Sequence, residues 1–96
     1  MSEKIWTRVI RPGSGGQPER QVVQLRRGAQ VRDALMDPSG AVVLTYTGEA
    51  TDAIEDRVVC MLQSGCAVTD GEFVRTVRHP TSGGLLHVFV AEASSS

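Results

Sequence analysis

Proline and glycine cut this chain into short pieces. They cluster in Arg11-Pro12-Gly13-Ser14-Gly15-Gly16-Gln17-Pro18-Glu19, in Asp37-Pro38-Ser39-Gly40 and in Pro80-Thr81-Ser82-Gly83-Gly84, with Gly48, Gly65 and Asp70-Gly71 between. Each of these breaks regular structure, because proline removes a backbone donor and glycine favours turns. No apolar run between them approaches the ~18 residues that span a bilayer. With 96 residues in all, the pieces have room for one core, so residues 1–92 are expected to form a single domain. The tail Ala93-Ser94-Ser95-Ser96 is expected to fray.

The pieces differ in period. Ile5 to Ile10 alternates and reads as a strand, as does Arg20 to Arg26, so the nine residues between them predict a wide hairpin. Val31, Ala34 and Leu35 share one face at helical spacing, which predicts a short helix from Gln30 to Met36, stopped by Asp37-Pro38. Ala41 to Thr47 is rich in β-branched and aromatic residues and is the clearest strand. From Asp52 to Ser64 a longer helix is expected. Thr51 is placed to cap it, Glu55 and Asp56 lie in its first turns, Gly65 ends it, and Ile54, Val58, Met61 and Leu62 form its apolar stripe. Cys66 to Thr69 is a short strand candidate. Glu72 to His79 and Leu85 to Ala91 are the last two strands, the final one apolar on both faces and therefore central or covered.

The resulting order, β-β-α-β-α-β-β, predicts an α+β fold: a two-layer α/β sandwich with a mainly antiparallel sheet. A hairpin followed by a helix resembles the opening of the ubiquitin-like β-grasp, in order alone. The longer helix comes later here, and the terminal diglycine used for conjugation is missing.

Composition excludes several classes. A hydrophobic fraction of 41% and a charged fraction of 22% are those of a globular chain rather than a disordered one. The formal net charge of −1 gives no global footprint for nucleic acid. The N-terminus lacks the apolar core of a signal peptide, and two cysteines make no disulfide framework, so a cytoplasmic location is expected.

Candidate chemistry is sparse. Cys60 and Cys66 are spaced C-x5-C and, with His79 and His87, match no zinc pattern, so no metal or other cofactor is expected. The segment Gly13 to Gly16 offers backbone donors to an anion but leads into a strand and lacks the phosphate-loop lysine. No catalytic motif stands out. Charge is uneven. Seven cations face four anions from Met1 to Gly48, whereas six anions face Arg57 alone from Glu49 to Glu72. On a paired hairpin, Arg8, Arg11, Arg20 and Arg26 would crowd one end, suited to an acidic partner or, with Trp6 as a stacking group, to nucleic acid. Val59 and Cys60 fall off the apolar stripe of the expected helix, and Leu85 and Phe89 lie on the second apolar face of the last strand.

These features suggest a small non-enzymatic protein-interaction or regulatory module that binds a protein partner or itself as a homodimer. The partner-binding candidates are Arg8, Arg11, Arg20, Arg26, Val59, Cys60, Leu85 and Phe89. A nucleic-acid-binding accessory protein using the arginine hairpin is the alternative, and a thiol-dependent activity at Cys60 is the third reading.

Overall fold

The computed structural model describes residues 3–12, 19–51, 53–67 and 71–92. These residues form seven strands: β1 (Glu3–Ile10), β2 (Glu19–Arg26), β3 (Gln30–Met36), β4 (Val42–Glu49), β5 (Ile54–Gln63), β6 (Glu72–Arg78) and β7 (Leu85–Glu92). They build a three-stranded sheet in the order β1-β4-β3 and a four-stranded sheet in the order β2-β5-β7-β6. All pairings are antiparallel. The α+β sandwich expected from the sequence is therefore corrected to an all-β fold, with no helix among the described residues. The resemblance to the β-grasp falls with it.

Both expected helices are strands, for different physical reasons. In β3 the register shifts between Val31 and Asp33. A bulge inserts one residue and so changes which residues share a face. Val31 lies opposite Tyr46 and Ala34 opposite Leu44, and both pack on the core although they are three residues apart. The bulge thus reproduces helical spacing within a strand.

In β5 the confusion comes from burial. Exposure alternates from Ile54 to Arg57, and then Val58 to Leu62 are all buried. β5 is an interior strand between β2 and β7. Val59 and Met61 face the core, while Val58, Cys60 and Leu62 lie on the other face and are buried as well. A strand buried on both faces loses its period of two and cannot be told from a buried helix by pattern. The presumed capping signals serve turns instead. Thr51 Oγ1 accepts the Ala53 N–H at 3.3 Å. The Glu55 carboxylate accepts N–H groups from Gly28 and Ala29 across the β2–β3 turn. Gly65 adopts a positive φ of 95° in the turn after β5.

The first two strands do not pair with each other. β1 lies beside β4 and β2 beside β5, so the expected hairpin is replaced by a connection between sheets. β7 is interior, as its two apolar faces predict. The short strand candidate from Cys66 does not form over Cys66 and Ala67, and residues 68–70 are outside those described. The Gly13–Gly16 segment and the tail 93–96 also lie outside the described residues.

The sheets enclose one core. Leu25, Val59, Met61 and Val88 of the four-stranded sheet meet Val42, Leu44 and Tyr46 of the three-stranded sheet. β3 and β6 lie side by side, bringing the sheets together along those edges. Gly48 in β4 permits a close approach, since a Cβ there would stand 3.1 Å from the Arg26 Cβ. No helix of the described residues is long and apolar enough to cross a membrane.

Candidate functional site

Strand register assembles the site on the outer face of the four-stranded sheet. Arg20 of β2 stands opposite Cys60 of β5. Cys60 stands opposite Phe89 of β7, and Phe89 opposite Phe73 of β6. Arg20, Cys60, Phe89 and Phe73 therefore form one row across all four strands. Residues directly opposite in antiparallel strands point to the same face, within side-chain contact. The two phenylalanine rings meet edge to face, with centroids 5.4 Å apart, the arrangement their quadrupoles favour.

The adjacent rows complete the face. On one side Val22, Val58 and Ala91 are in register, and on the other Leu62 and His87, with Thr76 opposite His87. Val22 and Phe73 remain exposed, at 65% and 56%. Buried Cys60 and Leu62 form the floor between them. An outer sheet face normally presents polar side chains to water, so an apolar, aromatic row here is unusual. A shallow pocket of about 330 Å³ opens at one end, lined among others by Leu62, Cys66, Phe73, His87 and Phe89.

His87 is held from both sides. Its Nε2 lies 2.9 Å from the Ser64 hydroxyl and its Nδ1 2.8 Å from the Thr76 hydroxyl. The first distance is that of a serine–histidine dyad. The group on the far side of the ring is a hydroxyl, however, which does not stabilise an imidazolium as the carboxylate of a triad does. The arrangement fixes the imidazole as a polar point in an apolar face. At the neighbouring end of the sandwich a cleft of about 840 Å³ is lined by Met36, Met61, Leu86 and His79. There, His79 Nδ1 accepts N–H groups from Thr81 and Ser82. Among the described residues, no three His, Cys, Asp or Glu side chains gather at metal-binding distance.

The structure divides the residues singled out in the sequence. Arg20, Cys60 and Phe89 come together in the central row, and Leu85 lies further along β7, opposite Arg78. Val59 does not share the face. It is fully buried between the sheets, one residue out of phase with Cys60. Arg8 and Arg11 are exposed on and just beyond β1, in the other sheet. Arg26 is committed to the fold: its guanidinium lies over the Trp6 ring at 4.4 Å, and its Nη1 donates to the Thr51 carbonyl. Phe73, Val22 and the Ser64–His87–Thr76 cluster were missed. In the sequence Phe73 reads as one residue of the strand from Glu72 to His79, and nothing local says that it meets Phe89.

Comparison with protein-family models, characterised proteins and solved structures finds no match to this chain. The geometry of the face therefore carries the functional reading.

Proposed function

We propose that this chain is a small non-enzymatic protein-interaction module, acting in the cytoplasm, that docks a protein partner on the outer face of its four-stranded sheet. The observation that carries this reading is the row Arg20–Cys60–Phe89–Phe73. Its centre is apolar and aromatic, and its one end is an arginine, the side chains enriched at the energetic centres of protein interfaces. Phe73 and Val22 supply area to be buried at ~25 cal/mol per Å². Arg20 orients an acidic or carbonyl group at the rim.

The nucleic-acid reading relied on a hairpin of the first two strands, which do not pair: Arg8 and Arg20 lie in different sheets. The Trp6 ring holds Arg26 over it and donates its indole N–H to the Gly48 carbonyl at 3.3 Å, so it is engaged within the fold.

The test is a photo-crosslinking residue at position 73, with the same residue at Leu35, exposed on the outer face of the three-stranded sheet, as control, in extract from the host. A discrete species captured at position 73, and lost when Arg20→Glu is added, supports the reading. Equal labelling from both positions, or labelling indifferent to Arg20→Glu, contradicts it.

A further inference from the structure

Among the described residues β1 is an edge strand. It pairs with β4 in an unbroken register from Glu3 opposite Glu49 to Ile10 opposite Val42, and β4 is its one neighbour in the sheet among those residues. The edges β3 and β6 are guarded, since each carries a bulge and the two lie against each other. A regular eight-residue edge is a template for another strand unless charge or shape forbids it.

The sequence of β1 is its own complement. Place a two-fold axis at Thr7, perpendicular to the sheet, and pair β1 antiparallel with a second β1. Glu3 then faces Arg11 of the other copy, Ile5 faces Val9, and Thr7 faces Thr7. On the opposite side of the strand Lys4 faces Ile10, and Trp6 faces Arg8. The central pair is threonine against threonine, Glu3 meets the opposite charge of Arg11, Ile5 and Val9 meet as apolar side chains, and no position sets like charges against each other. The registers one step to either side fail. Centred on Trp6, Lys4 opposes Arg8. Centred on Arg8, that arginine opposes itself. The remaining edge, β2, lacks this property: about Val23 it opposes Arg20 to Arg26, and about Val22 it sets Glu19 against Leu25. The Thr7 register also unites Ile5 and Val9, which are 74% and 53% exposed in the isolated chain.

We propose that the occupant of this edge is a second copy of the chain, joined β1 to β1 about a two-fold axis at Thr7. The two three-stranded sheets become one sheet running through both protomers. Isologous pairing of this kind is the commonest way for small proteins to assemble. The dimer carries two copies of the partner-binding face, one on each protomer, and gains from bivalent attachment. Self-pairing does not rest on the partner-binding reading, because it uses a different sheet.

The test uses the full chain. Sedimentation is expected to show a reversible dimer at about 100 μM, since a strand-edge junction buries a small area and binds weakly. Glu3→Arg places arginines in opposition twice per dimer and should weaken association by about fivefold or more. Glu3→Arg with Arg11→Glu should restore it. In a Cys66→Ser background, Thr7→Cys should form an intermolecular disulfide under mild oxidation much faster than Thr45→Cys, which lies on the same face one strand inward. A chain monomeric at that concentration overturns the proposal, as does a dimer in which the two cysteines oxidise equally fast or the double charge swap fails to restore what the single one lost.

Discussion

Arg75 donates its Nε–H to the Asp33 carboxylate across the line where the two sheets meet, and each residue directly follows the bulge in its own strand. The bulges re-aim β3 and β6 where the two edge strands run together. The same carboxylate accepts the Ala34 N–H at 2.8 Å. The pair closes the sandwich on the side opposite the open β1 edge. Both side chains are about half exposed, so solvent screens the attraction. A double-mutant cycle of Asp33→Asn with Arg75→Gln should give a coupling of about 0.2–1 kcal/mol, measured in urea.

The pH dependence of two carboxylates follows from their contacts. The Ala34 N–H first, and then Arg75, hold Asp33 below its ordinary value of 3.8. Ser39 and the Ala41 N–H do the same for Asp37 in the β3–β4 turn. A group whose pKa is lower folded than unfolded stabilises the fold at pH above its unfolded value, and that contribution fades as pH falls through the folded one. Parent and Asp37→Asn melts should therefore differ at pH 6 and converge below pH 3.8. A difference that grows in acid would contradict this assignment.

Core and surface leucines should separate cleanly. Leu44 is fully buried between the sheets and Leu35 is 52% exposed on the outer face of the three-stranded sheet. Leu44→Ala should cost roughly 2–5 kcal/mol and Leu35→Ala less than about 1 kcal/mol, read from denaturant midpoints at constant slope.

Glu55 ties the β2–β3 turn to β5 through the N–H groups of Gly28 and Ala29, at 3.1 and 3.2 Å, and it sits 3.5 Å from Arg57. Arg57 in turn donates to the Ala29 carbonyl. Glu55→Ala should destabilise by about 1–2 kcal/mol, because hydrogen bonds to a charged group are worth more than neutral ones. Amide exchange at Gly28 and Ala29 should rise with it. Were Glu55 an exposed helix residue, as the sequence suggests, neither change would occur.

That contrast shows where the sequence is legible. The strands β1, β2, β4, β6 and β7 follow from alternation bounded by proline and glycine, and the two-sided apolar pattern of β7 correctly marks an interior strand. β3 and β5 are misread because a bulge and two-sided burial each imitate helical spacing, and neither shows in local sequence. Misreading β5 also put Val59 and Cys60 on one outward side, whereas a strand sends them to opposite faces. Arg20, Cys60 and Phe89 were each visible as unusual residues. Their meeting in one row, with Phe73 completing it, depends on pairings between strands far apart in the chain, which no local pattern encodes.

Docking on the outer face of the four-stranded sheet is tested by titrating the species captured at position 73 with the parent chain, with Phe73→Lys and with Leu35→Lys. Leu35→Lys should fold with stability within about 0.5 kcal/mol of the parent, and Phe73→Lys, which gives up the edge-to-face contact with Phe89, should stay folded at a cost of about 0.5–1.5 kcal/mol. Phe73→Lys should weaken binding by about tenfold or more, as loss of an aromatic anchor does, while Leu35→Lys on the other sheet should bind as the parent does. Equal binding by the Phe73→Lys chain, or loss with Leu35→Lys instead, would contradict the account.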